Sequence, residues 1–149
     1  MDGKCFLTTA RFLHTKGSDE AAFRSAVSRA YYACFLAARG IAFTNCGKNF
    51  RRTAGINKEG DILHKPLQHY LKAGLSDTVR WLGEDLAGLQ GSRADADYAM
   101  DKRIGKEDAA QAIDDAGAFL DALDAANPQD IGKAVETYIG LIHKTGGGV

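Results

Sequence analysis

Apolar residues recur along this chain at spacings of three and four, the period of a helix lying on a core, and no β-branched alternation competes with it. The spacing predicts a first helix from about Asp2 to Lys16, with Cys5, Phe6, Thr9, Phe12 and Leu13 as its inward stripe. Gly17 ends that helix and Ser18 is placed to cap the next. The second helix runs from Asp19 to about Thr44, with Asp19 and Glu20 in a first turn that favours negative charge. Phe23, Val27, Ala30, Cys34 and Ala38 form one apolar row along it, and Tyr31, Phe35 and Ala42 a second. Two rows are too wide for one neighbour, which predicts a central helix flanked on several sides.

Between Asn45 and Gly60 the period is lost, and Lys48, Arg51, Arg52 and Lys58 read as a mobile basic loop. Helical spacing returns at Ile62–Ala73 and again from a Ser76 cap to about Met100, with Val79, Leu82, Leu86 and Leu89 inward. A helix over Gly105–Ala126 follows, burying Ala109, Ile113, Ala116, Phe119, Leu120 and Leu123. Asn127 then caps a last helix with Pro128 at its first position, reaching about Lys144 and burying Ile131, Val135, Tyr138, Ile139 and Ile142. The tail Gly146–Val149 is expected to fray. The elements add up to an all-α, antiparallel up-and-down bundle of four to six helices.

Composition changes this picture little. The 149 residues suit one domain over 1–149, with 127–149 as an added C-terminal helix and glycine tail. Such a chain buries about 70% of its unfolded surface and needs no covalent staple. Zero formal net charge leaves nucleic-acid binding to a local basic patch. Three cysteines without a close pair argue against a disulfide framework or a thiolate zinc site. The spacing of His64 and His69 is poor for ligands on one helical face, so no metal and no cofactor are expected. Met1–Ala10 has no signal-peptide pattern and no run is long enough to cross a bilayer, which makes a cytoplasmic protein without membrane contact the expectation.

Ser28–Arg39, "SRAYYACFLAAR", resembles the tyrosine-pair helix of HEPN-domain proteins, and Arg93–Tyr98, "RADADY", resembles the arginine-plus-Ala-Asp-Tyr segment of their small stand-alone members. His64 before "PLQHYL" and the run "AAQAIDDAGAFLDAL" fall in the same order, so the resemblance spans roughly Leu7–Leu123. It implies a bundle of four or five helices that forms a homodimer. It also implies a component of a toxin–antitoxin or defence-type module that engages RNA or nucleotides beside a minimal nucleotidyltransferase, with no DNA specificity. Many members are metal-independent ribonucleases whose signature is an arginine followed, after four to six residues, by a histidine. Here Tyr98 stands where that histidine would be, and tyrosine is a poor general base at neutral pH.

The candidate residues carry two readings each. Arg93 and Tyr98 are the candidate catalytic pair, Arg93 neutralising a scissile phosphate and Tyr98 assisting by hydrogen bonding. Arg93 and Asp97 are also four apart, as in a plain helical ion pair, and Asp95 and Asp97 would repel an RNA backbone. Arg29, Tyr32 and Asp97 are candidate nucleotide contacts. Tyrosines in a bundle core bury their rings and satisfy their hydroxyls with neighbours; if Tyr31 and Tyr32 point to opposite sides, one bonds across to Arg93 or Asp97 while the other packs in the core. Lys48, Arg51 and Arg52, with Phe50 as a stacking ring, form the candidate RNA patch. Trp81 reads as core or interface. The alternative to an RNA-directed component is a non-catalytic interaction module that binds a nucleotidyltransferase partner or a nucleotide, with Tyr98 as an exposed acceptor for a partner's adenylyl transfer or as plain structure.

Overall fold

The computed structural model describes residues 2–146, with side chains through His143. It is all-α, as the periodicity requires, and the described residues contain no strand. Seven helices follow in order: α1 (Lys4–Lys16), α2 (Glu20–Asn45), α3 (Lys48–Thr53), α4 (His64–Lys72), α5 (Asp77–Tyr98), α6 (Lys106–Ala125) and α7 (Pro128–Gly146). Of the tail Gly146–Val149 expected to fray, Gly146 closes α7 and residues 147–149 lie outside the described residues.

Four details differ from the sequence pattern. The segment read as a mobile loop contains α3 and a single 3-10 turn at Glu59–Asp61. Six residues are too few to show a period, so this helix carried no readable signal. The cap of α2 is Asp19, whose Oδ1 accepts the Ala22 N–H at 2.9 Å, and not Ser18. The face of α1 is rotated: Leu7 and Ala10 are buried, while Cys5, Thr9 and Phe12 are exposed. At the chain's other end Ile142 is exposed rather than inward, and Tyr138 is half-buried. The capping of α7 is as expected, with Asn127 Oδ1 accepting the Gln129 N–H at 2.9 Å.

Residues group into two compact units. The first takes the chain up to Ala37 and Asp85–Asp121. Here α2 is central, as its two apolar rows predict: Val27, Ala30, Tyr31, Cys34 and Phe35 are all buried. The start of α1 lies directly on it, since a Cβ at Gly3 would sit 2.7 Å from the Ala33 carbonyl oxygen and 3.1 Å from the Ala37 nitrogen. Only glycine fits that approach without displacement. On another side α6 reaches α2, where Cys34 Sγ stands 3.6 Å from the Ala116 carbonyl. Burial, and then the Asp85 carboxylate, pushes the Cys34 thiol up, so it serves as a small apolar filler.

Asp85 itself is half-buried, and its Oδ2 has no hydrogen-bond partner among the described residues. Burial first, and the Asp115 carboxylate second, raise its pKa above the ordinary carboxylate range. A raised folded-state pKa means the native state holds the proton more tightly than the unfolded chain. Its contribution to stability is therefore full below the ordinary range and lost as pH rises through the raised value. Asp85→Asn is expected to melt higher than wild type at pH 7 and close to it at pH 3, a comparison that thermal denaturation at the two pH values checks directly.

The second unit takes Ala38–Glu84 and the chain from Ala122. In it α4 packs on α7, with the His69 and Tyr138 rings stacked at 6.0 Å and Tyr70 set edge-on to Tyr138 at 5.3 Å. The end of α2 meets α7 at Gly132, where a Cβ would stand only 2.0 Å from the Asn45 carbonyl oxygen. Glu136 Oε1 accepts the Gly47 N–H at 2.8 Å and fixes the start of α3 against α7. Trp81 is 43% exposed, so it is not a core residue. No helix among the described residues is long and apolar enough to cross a membrane.

Candidate functional site

The last turn of α5 and the facing stretch of α2 carry the site. Helix ends leave carbonyls without partners, and here a single side chain from α2 supplies the donors. Arg24 Nη1 donates to the carbonyls of Asp95 at 3.1 Å and Ala96 at 3.0 Å. Its Nη2 donates to Ala99 at 3.1 Å and to Lys102. Its Nε donates to Glu20 Oε1 at 3.0 Å, and the same oxygen accepts the Ile104 N–H at 3.1 Å. That backbone bond, then Arg24, lowers the Glu20 pKa. The Arg24 side chain is 12% exposed, and a cation there also complements the negative end of the α5 dipole. The result is a fixed C-terminus for α5, on which the residues that follow depend.

One turn earlier, Arg93 points back to α2. Its Nη2 donates to the Tyr32 hydroxyl at 2.8 Å, and its Nε lies 2.7 Å from Asp97 Oδ2. Ser28 Oγ donates to the same carboxylate oxygen at 3.3 Å. The guanidinium also faces two rings, 5.2 Å from the centroid of Tyr32 and 5.5 Å from that of Tyr98. Arg93 and Asp97 are mostly shielded, at 16% and 26% side-chain exposure, whereas Tyr98 is 71% exposed. The helical ion pair and the cross-helix tyrosine bond are therefore both present. Tyr31 takes the other role: it is buried, stacks on Phe35 at 6.0 Å, and burial pushes its phenol up so that it stays protonated.

Arg29 is exposed and lies 5.6 Å over the Phe6 ring, which in turn stands 6.4 Å from Tyr32. Of the acidic pair expected to repel a nucleic acid, Asp97 is held by Arg93 and Asp95 by Lys102 Nζ at 2.7 Å. The structure thus brings Arg29, Tyr32, Arg93, Asp97 and Tyr98 together in the first unit.

Lys48, Arg51 and Arg52 belong to the second unit. There they line a cavity of about 150 Å³ with Phe43, Ile56 and Asn57. Arg51 donates to the Phe43 carbonyl and sits 4.4 Å over the Phe43 ring, so the ring beneath it is Phe43 and not the neighbouring Phe50. The described residues hold no group of three or more His, Cys, Asp or Glu side chains that could coordinate a metal.

Arg24 and Phe6 were not singled out as site residues by sequence. Arg24 could have been, because it stands three and seven residues before Val27 and Tyr31, on the inward side of α2, where a cation must have partners. Phe6 gave no such sign, since an aromatic on an amphipathic helix reads as core.

A family model of the HEPN domain matches residues 3–126 of the chain, which includes the whole Arg24, Arg93 and Tyr98 arrangement. No curated protein and no solved structure matches it.

Proposed function

The chain belongs to the HEPN domain family, and on that premise we propose that Arg93 and Tyr98 form the phosphate-engaging site of an RNA- or nucleotide-directed component of a toxin–antitoxin or defence-type module. The observation that carries this is the placement of Arg93 at a fixed helix end, between the Tyr32 ring and an exposed Tyr98. A planar guanidinium recognises phosphate through paired N–H donors, and the exposed ring beside it offers a face for a base. Asp97 is the resident counter-ion that a phosphate displaces or shares. In the second unit, Lys48, Arg51 and Arg52 form a basic patch of their own. A minimal nucleotidyltransferase is the companion this reading implies, with a second copy of the chain as its partner.

Recognition fits this geometry better than cleavage. In a metal-independent cleavage the 2′-oxygen would attack phosphorus, the 5′-oxygen would leave, and one proton would pass from the first to the second. Arg93 serves the charge on phosphorus in that scheme, yet Tyr98 in the histidine's place is a weak proton acceptor. Titration of a labelled single-stranded RNA with chelator present tests the proposal. Binding that weakens as salt rises is expected, and RNA left unbound by folded protein at low salt sinks it. Strand scission in the same tubes would move the protein to the metal-independent ribonucleases.

The 71% exposure of Tyr98 favours one second reading. Its phenol oxygen can attack the α-phosphorus of a nucleoside triphosphate held by a nucleotidyltransferase, releasing pyrophosphate and giving its proton to that enzyme. Intact mass after incubation with such an enzyme and ATP should then rise by one nucleotidyl group in wild type and not in Tyr98→Phe; equal masses for both would remove this reading.

A further inference from the structure

The contacts described above form a continuous row in the first unit. Arg29 lies over Phe6, Phe6 stands beside Tyr32, and Arg93 lies between Tyr32 and Tyr98, each step between 5.2 and 6.4 Å. Guanidinium groups and aromatic rings thus share a single track contributed by α1, α2 and α5. Proteins that hold single-stranded nucleic acid without reading its sequence combine these same two parts, rings for base faces and cations for the backbone. We propose that the Arg29–Phe6 end of the row is a second nucleotide subsite, taking the neighbour of the nucleotide whose phosphate meets Arg93 on single-stranded RNA. This rests on the reading of Arg93 given above.

Shape and charge at that end support the assignment. A cavity of about 320 Å³ opens there, lined by Cys5, Phe6, Thr9 and Arg29, with no carboxylate in its wall. Phe6 is only half-buried, and Cys5 and Thr9 beside it are exposed, so this face of α1 is not consumed by packing. The Thr9 hydroxyl bonds back to the Cys5 carbonyl at 3.2 Å and keeps an acceptor position for a ribose or base donor. Another cavity of the unit, about 200 Å³, is walled by Asp95, Asp108 and Asp115 with Lys102 as the cation in its lining. A phosphate backbone leaving Arg93 is repelled on that side and attracted toward Arg29. Recognition by a ring face and one cation tolerates any base, so the subsite is expected to be indifferent to sequence but to need at least two linked nucleotides.

Cys5 provides the test, being the exposed cysteine of a chain whose other two, Cys34 and Cys46, are buried. Its alkylation by a maleimide, followed by intact mass, is to be timed with and without a saturating single-stranded hexanucleotide RNA. The affinities of Arg29→Ala, Phe6→Ala and Phe6→Leu for the same RNA are measured beside it. The expected result is alkylation slowed several-fold by RNA, with several-fold weaker binding by each variant. Phe6→Leu keeps the apolar volume while removing the ring, so its loss is not one of folding. RNA that binds through Arg93 while Cys5 reacts at its free rate and all three variants bind like wild type overturns the subsite alone. RNA that does not bind, or binds regardless of Arg93, removes the underlying reading and the subsite with it.

Discussion

Replacing Arg24 with alanine is expected to destabilise the protein by about 3 kcal/mol, the largest stability effect of any single side chain near the site. The reason is the number of groups it serves at once. Four backbone carbonyls around the end of α5, those of Asp95, Ala96, Ala99 and Lys102, take hydrogen bonds from this one guanidinium. Removing it leaves the part-buried Ala96 carbonyl without its donor and strips one of two donors from Asp95 and Ala99, which keep the Ala99 and Lys102 N–H groups. Each shielded polar group left unpaired costs roughly 1–3 kcal/mol before relaxation. Glu20 contributes less, because it is 44% exposed and water replaces much of what it loses. At roughly 2–4 °C per kcal/mol for a chain of this size, the melting temperature should fall by roughly 6–12 °C. Lysine at this position recovers only part of the loss, since one ammonium cannot span the fan of carbonyls that a planar fork reaches. Thermal melts of wild type, Arg24→Ala and Arg24→Lys check the order, and Arg24→Ala melting with wild type would refute the role.

Arg93→Ala and Asp97→Asn are expected to move RNA affinity in opposite directions. Arg93 holds one carboxylate and one phenol and faces two rings, so alanine removes both the cation for phosphate and its contacts with Tyr32 and Tyr98. A charge-assisted hydrogen bond contributes about 1.5–3 kcal/mol, which is at least tenfold in affinity. Asparagine at 97 retains the size of the side chain and its contact with Ser28 while removing the negative charge that competes with phosphate for Arg93. Binding should tighten several-fold. Circular dichroism of each variant separates these effects from loss of fold.

Much of this arrangement was legible in the sequence, and the parts that were not share a cause. The stripes of α2, α5 and α6 could be read because large apolar residues recur over many turns: Leu82, Leu86 and Leu89, and Ile113, Phe119 and Leu123, are buried as their spacing requires. The phase of α1 was misread because its contact with α2 is made by small residues. Gly3 carries no hydrophobic signal, yet only glycine lets the start of α1 approach the α2 backbone at Ala33 and Ala37. Within the site, Arg93, Asp97 and Tyr98 lie within two turns of one helix, so spacing alone brought them together. Tyr32 was placed as one of two options for the tyrosine pair, and the bond to Arg93 selects it. The Arg24 carbonyl clamp joins residues more than 70 positions apart, and the Phe6–Tyr32 contact joins two helices across the Gly17 turn. Nothing local encodes either. Arg51 was legible as a cation but not as one already engaged with Phe43, since α3 was too short to be seen.

The central claim is that Arg93 is a phosphate partner held in place by Asp97 rather than one half of an inert ion pair. The most direct measurement is one set of fluorescence-anisotropy titrations, with a labelled single-stranded RNA, chelator throughout, and wild type, Arg93→Ala and Asp97→Asn side by side. Asp97→Asn is expected to bind most tightly, wild type next, and Arg93→Ala at least tenfold more weakly than wild type. Equal affinity for all three folded proteins would contradict it and leave Arg93 and Asp97 as a structural ion pair.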